Sequence, residues 1–249
     1  MDAKYFQFIE SGDVATVGIP RSMPGGRFNK DAILEMRHLF EYLDDHTGLR
    51  FIVIKGVEGT FSEGLECNLF DGNKRIDING FNQWEGVIRN LQNIRKITIA
   101  VVDGLCAGAA IQLILACDLR IVSHRSSFLH GEMGGGHLPG NLIMQLGKYC
   151  GLGRALELVQ SGKSYSAEQA QTLGIINECH ASSELKATVE NILISYKNTN
   201  LEMHYLARRL LRESYEMSHE DFLGCYLAAQ HRALSMEERQ EKQRESSAC

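Results

Sequence analysis

Residues 98–122 read TIAVVDGLCAGAAIQLILACDLRIV. The run 98–102 carries apolar residues on both sides of the strand alternation, as a strand buried on both faces must. Gly104 and Gly108 punctuate the segment that follows. Residues 107–117 are small and apolar all round, which predicts a helix enclosed by protein. Residues 119–122 return to a buried strand. Strand, helix, strand predicts a right-handed βαβ crossover in a mainly parallel α/β sheet. Asp103, Gln112 and repeated glycine–alanine steps interrupt the stretch, so it reads as core and not as a membrane span.

The pattern continues on both sides. Residues 5–9 and 14–19 are strand-forming and flank Ser11-Gly-Asp13, a hairpin signal. Asn29 caps a helix whose apolar positions Ile33, Leu34, Leu39, Phe40 and Leu43 share a face, and Gly48 stops it. Residues 51–54 are another buried strand, followed by a glycine-spaced loop from 56 to 64. Residues 81–94 have helical spacing through Trp84, Val87, Ile88 and Leu91, and 127–129 is a further strand. Beyond Leu142 the patterning is helical, over 152–159, 167–173, 184–196, 201–215 and 221–234, with few strand signals after 174–177. The tail from 236 to 248 is rich in Glu, Arg, Gln and Lys without an apolar face, a solvated helix end or a disordered segment. Without a linker between the halves, these elements predict an α/β core over 1–180 and a helical region over 181–249.

Composition bounds the function. The 249 residues are 44% hydrophobic and 23% charged, and the net charge is −5, values of a globular chain without the basic footprint of a nucleic-acid binder. The seven cysteines are odd in number and none forms a C-x-x-C pair, so neither disulfides nor a cysteine zinc site is expected. The N-terminus has no signal-peptide pattern. Reduced cysteines and no leader predict a cytoplasmic protein, with neither membrane nor nucleic acid as partner.

Three glycine-rich elements could carry chemistry. Gly59-Thr-Phe-Ser-Glu-Gly-Leu-Glu66 and Asp103-Gly-Leu-Cys-Ala-Gly-Ala-Ala110 each follow a predicted strand. Such turns lie where open α/β sheets bind ligands and expose N–H groups lacking helical partners. Side by side, two of them could aim two N–H donors at one carbonyl oxygen, an oxyanion hole. The alternative is two ordinary βα loops. The third element, residues 128–141, offers Glu132, His130 and His137 among glycines. A carboxylate in an apolar cleft gains the raised pKa of a general acid or base; the alternative, and for an isolated Glu the better one, is a solvated loop acid. A metal lacks a third ligand at useful spacing. Gly162-Lys-Ser164 has Glu157 where a phosphate loop needs glycine, and Gly104 to Gly108 lacks dinucleotide spacing.

Together these elements resemble the crotonase (enoyl-CoA hydratase/isomerase) superfamily. Phe61-Ser-Glu-Gly-Leu-Glu66 is similar to its F-x-x-G-x-D pattern, with Glu66 in place of Asp. Residues 100–118 resemble A-V-x-G-x-x-x-G-G-G-x-E-L-x-x-x-C-D, and 128–140 resemble F-x-x-P-E-x-x-x-G-x-x-P-G with Gly131 replacing proline. The resemblance implies a crotonase-like spiral of ββα units and a C-terminal helical region that helps form homotrimers, often stacked as hexamers. It implies acyl-CoA or acyl-carrier-protein thioester substrates, so that coenzyme A or phosphopantetheine arrives with the substrate and no separate cofactor or metal is needed. By position it assigns the oxyanion donors to Leu65 and Ala109, catalytic positions to Glu132 and Gln112, and substrate contacts to Gly64, Gly108, His130, His137 and Asn141. Acyl specificity falls on 68–84, and Arg27, Lys30, Lys74 and Arg75 are basic residues available to phosphates.

Family hydratases use two glutamates. The first falls on Gln112, whose amide cannot shuttle a proton at neutral pH, and the second on Glu132. One carboxylate implies single-base proton transfer: double-bond isomerisation or dehydration. The alternatives are thioester decarboxylation, as in polyketide β-branching, with Glu132 spectating and His130 or His137 handling the proton, and a non-catalytic crotonase-like binding protein.

Overall fold

The computed structural model describes residues 3–19, 24–56, 59–66, 78–132, 134 and 136–247. The chain divides into two compact units, 1–197 and 198–249. The first opens with β1 (Gln7–Ser11) and β2 (Val14–Gly18), an antiparallel hairpin turned at Gly12, and continues into α1 (Lys30–Asp45). The Asn29 side chain accepts a hydrogen bond from the Ala32 N–H, as the sequence predicts for a cap.

Three ββα units follow: β3 (Phe51–Lys55), β4 (Thr60–Ser62) and α2 (Ile78–Asn93); β5 (Ile97–Val102), β6 (Leu105–Ala107) and α3 (Ala109–Ala116); β7 (Leu119–Ser123), β8 (Ser127–Leu129) and α4 (Leu142–Ser161). Then come β9 (Tyr165–Ser166), α5 (Ala167–Thr172), β10 (Glu178–His180) and α6 (Leu185–Ser195). Among the described residues the strands form two sheets. The first strand of each unit joins a larger sheet of order β1-β2-β3-β5-β7-β10, parallel except for the hairpin. The second joins a smaller sheet, β4-β6-β8-β9. This alternation between two sheets is the expected spiral. Of the smaller sheet the sequence reading had only 127–129; β4, β6 and β9 span two or three residues each, too few for periodicity to register.

The central strands β3, β5 and β7 are buried on both faces of the larger sheet, which is why they read as apolar runs. Ile52, Ile54, Ala100, Val102 and Val122 face the main core with α1, α2 and the wholly buried α3. Val53, Ile99 and Ile121 alternate to the other face and pack against Leu185 and Ile192 of α6. α6 therefore packs on the sheet and lies in the first compact unit, although its sequence groups it with the helices that follow. α4 begins ten residues before the predicted 152–159 helix and is broken at Gly151 (φ 75°, ψ 160°).

The second unit consists of α7 (Leu201–Glu213) and α8 (His219–Ser247). Asn200 caps α7, and Arg232 of α8 pairs with Glu202 of α7 at 2.6 Å. No helix among the described residues is long and apolar enough to cross a membrane. Cys106, Cys117, Cys150, Cys179 and Cys225 are free thiols. Lys74, Arg75 and the larger part of the 68–84 segment lie outside the described residues.

Candidate active site

Gly108, with φ 54° and ψ −131°, turns the chain from β6 into α3. Its N–H donates to the Leu129 carbonyl at the end of β8 (2.9 Å). The next residue, Ala109, opens α3, and the first N–H of a helix has no partner within it. Gly64 lies against this turn. A Cβ on Gly64 would sit 2.9 Å from the Ala107 oxygen and 3.0 Å from the Ala109 nitrogen. Its φ of 89° also belongs to glycine, so both space and backbone require that residue here.

Leu65 follows in extended conformation and forms a parallel bridge with Phe28. The Phe28 N–H donates to the Gly64 carbonyl (2.8 Å) and the Glu66 N–H to the Phe28 carbonyl (2.9 Å). Successive N–H groups of an extended chain point to opposite sides, so the Leu65 N–H turns away from Phe28. Leu65 and Ala109 line the same cavity, of about 290 Å³. The two glycine turns thus bring Leu65 and Ala109, the residues assigned from the sequence, to one cavity.

Glu132 lies over this corner. Its Oε1 is 2.9 Å from where a Gly108 Cβ would be, so the glycine leaves the carboxyl its place. The residue is 8% exposed, and neither oxygen makes a hydrogen bond of good geometry among the described residues. Burial pushes its pKa above the ordinary carboxylate value; His137 and the Glu132 and Gly131 N–H groups oppose this more weakly.

Gln112 stands one turn beyond Gly108 on the same face of α3, fully buried. Its Oε1 accepts from the Trp84 indole N–H (2.8 Å), and its Nε2 donates to Oε2 of Glu85 (2.9 Å). The other Glu85 oxygen, Oε1, accepts from the Asn141 N–H (3.0 Å). Glu85 lines the cavity with Glu132. Besides Glu132, the carboxylate that the motifs supply, α2 brings another to the cavity from outside them. A signal existed in the helical pattern, since Phe81 and Glu85 are four residues apart on α2 and share a face. A third carboxylate, Glu63, borders the cavity and is held by the Arg27 guanidinium (Nε to Oε2, 2.9 Å).

His137 lines the cavity beside Phe81, with ring centroids 5.7 Å apart, and its N–H donates to the Glu132 carbonyl (3.2 Å). His130 does not line it. It is 1% exposed, stacks on Tyr165 and shares a hydrogen bond with the Tyr165 hydroxyl through Nε2 (2.9 Å); burial lowers its pKa to about 4. Its assignment as a substrate contact is corrected on that ground: the ring is packed between β8 and β9. Asn141 reaches the site through its backbone N–H, which orients Glu85. Phe81, Trp84 and Leu105 supply apolar wall, and a wider groove of about 720 Å³ adjoins at Ile78, Phe81 and Gly136. The described side chains grouped closely enough to hold a metal ion, His124, Glu168 and Cys179, are not part of the cavity.

Residues 10–248 match the family described as Enoyl-CoA hydratase/isomerase. An enoyl-CoA hydratase of Amycolatopsis orientalis is 31% identical over 156 residues, 63% of this chain and 71% of that protein. A short-chain-enoyl-CoA hydratase of Clostridium acetobutylicum is 29% identical over 191 residues, 74% of this chain and 71% of that one. The fold is shared with a candidate enoyl-CoA hydratase of Thermobifida fusca solved in complex with CoA (TM-score 0.85, 22% identity, 95% of each chain). It is shared equally with an enoyl-CoA hydratase of Bacillus anthracis (TM-score 0.85, 18% identity, 96% of this chain and 97% of that one). By the extent of the family match, and with the two glycine turns and the spiral that carries them, this chain belongs to the enoyl-CoA hydratase/isomerase family.

Proposed function

We propose that the protein acts on an acyl thioester of coenzyme A or of an acyl carrier protein, and moves a proton at the carbon beside the carbonyl through an enolate. The observation that carries this reading is the buried Glu132 carboxyl beside the turn of Gly108 and Ala109, in one cavity with Leu65. The thioester oxygen accepts hydrogen bonds from the Leu65 and Ala109 N–H groups, which stabilise the negative charge gathered there as the α C–H bond breaks. The Glu132 carboxylate takes that proton, and the C–H electron pair moves into the enolate. Return of the proton at the γ carbon isomerises a double bond; delivery to a β-hydroxyl expels water. The pKa that burial raises suits both roles, because it makes the carboxylate a stronger base for the α proton than an exposed one.

The substrate class is supported by the family match and by the related Thermobifida fold solved with CoA and with acetoacetyl-CoA. We include a homotrimeric assembly, alone or stacked as a hexamer, in the proposal. The test is mass spectrometry of 2-enoyl- and 3-enoyl-CoA thioesters incubated in deuterated water with wild type and with Glu132→Gln. We expect deuterium at the α carbon with wild type, and a rate lower by roughly 10²- to 10⁴-fold in the variant. A variant that exchanges as fast as wild type overturns the role of Glu132. Release of CO₂ from malonyl-CoA by both proteins would replace this reading with decarboxylation.

A further inference from the structure

We propose that Glu85 is the second carboxylate of this active site, and that it takes the proton of a water molecule added to, or expelled from, the β carbon of the acyl chain. The inference rests on the thioester reading above and specifies its reaction. A one-carboxylate site moves a proton between carbons but leaves the water of hydration without its own base. Gln112 occupies the position at which the family's first glutamate falls, and an amide cannot accept that proton. The structure places a carboxyl one hydrogen bond beyond it.

Three observations carry this. Glu85 and Glu132 line the same cavity but come from different elements, α2 and the loop after β8. Glu132 sits at Gly108 and Glu85 accepts from the Gln112 side chain, so the two carboxyls are held at positions about one turn apart on one face of α3. The cavity of about 290 Å³ that both border has room for a water beside the acyl chain. Lastly, Glu85 is rigidly placed. Its Oε2 accepts from Gln112, its Oε1 from the Asn141 N–H, and a Cβ on Gly140 would lie 2.3 Å from that Oε1, so the chain closes over the carboxyl with no room to spare. Each oxygen keeps one further lone pair to accept from water.

The step balances as follows. The water O–H proton goes to Glu85 and its oxygen bonds to the β carbon. The double-bond electrons pass to the thioester oxygen, held by Leu65 and Ala109. The enolate then collapses as protonated Glu132 gives its proton to the α carbon. Glu85 ends protonated and Glu132 ionised, and exchange with solvent restores both. Dehydration is the reverse.

The network suggests a test in which the carboxylate and amide trade places. In Glu85→Gln/Gln112→Glu the amide at 85 donates to the carboxylate at 112, the Trp84 indole still has an acceptor there, and the Asn141 N–H still has one at 85. Hydrogen bonding is conserved while the carboxylate moves onto α3. Wild type, Glu85→Gln and the exchanged pair are compared on crotonyl-, octenoyl- and dodecenoyl-CoA. Water addition is read with ¹⁸O-labelled water, and α-proton exchange with deuterium on the corresponding saturated thioesters. We expect wild type to hydrate. In Glu85→Gln the ratio of hydration to exchange falls by at least about 100-fold, and the exchanged pair recovers part of it. Wild type that exchanges α protons without adding water, or Glu85→Gln that keeps the ratio, overturns the inference and leaves the enolate reading intact. Wild type that does neither removes both.

Discussion

His130 and Glu132 are two residues apart and serve opposite ends. Both are buried, and burial disfavours charge on each, so the histidine pKa falls and the carboxyl pKa rises. Glu132 faces a cavity that can use the effect; His130 faces Tyr165 and is structural. That difference has a pH signature. The His130 pKa drops from 6.5 to about 4 on folding, so between those values the unfolded chain binds more protons than the folded one. Stability contributed by neutral His130 is present above pH 6.5 and is lost as the pH falls towards 4. We expect urea denaturation to show a loss on the order of 2–3 kcal/mol across that window from this residue. His130→Gln, which keeps a partner for the Tyr165 hydroxyl, flattens the dependence. An unchanged slope in that variant would remove His130 as the source.

At the scale of elements, the glycines show how much local structure depends on backbone permission. Gly151 interrupts α4 with φ 75° and ψ 160°, a region open in practice only to glycine, although a Cβ there would meet nothing within 4 Å. The need is therefore conformational and not steric against neighbours. Gly151→Ala should lower stability by about 1–3 kcal/mol, measurable as a shift in thermal unfolding, and a neutral effect would mean that the break relaxes to continuous helix. Most of the long elements were legible beforehand: the Asn29 cap, strands β1, β2, β3, β5 and β7 of the larger sheet and the enclosed α3 follow from periodicity and capping chemistry, whereas the three-residue β10 was not read. The two- and three-residue strands of the smaller sheet were not, because they carry too little pattern and are defined by their partners. α6 looked like any amphipathic helix; only the apolar second face of the sheet gives Leu185 and Ile192 their place.

At the scale of the whole molecule, the cavity is a meeting of segments distant in sequence. α2, the β4 turn, the β6–α3 turn and the loop after β8 all contribute to its lining. The proposed trimer belongs to the same scale. Leu152 is 85% and Leu156 is 56% exposed, one turn apart on α4, and an assembly of subunits would cover such a stripe. Light scattering at micromolar concentration should give a mass of three or six chains of 27.8 kDa, reduced by Leu152→Lys with Leu156→Lys. A monomeric wild type would remove the assembly from the proposal.

By itself the sequence determined the alternating strands and helices, the glycine turns, Glu132 as a candidate acid and the resemblance that the family match bears out. These are written in short-range spacing: a period of two for strands, 3.6 for helices, glycine where the backbone must turn. Only the tertiary structure decided that Glu85 enters the cavity, that Gln112 is held between Trp84 and Glu85, and that His130 points into the packing against Tyr165. Periodicity states which face of an element is buried. It does not state what that face meets, since the meeting is set by packing between residues tens of positions apart.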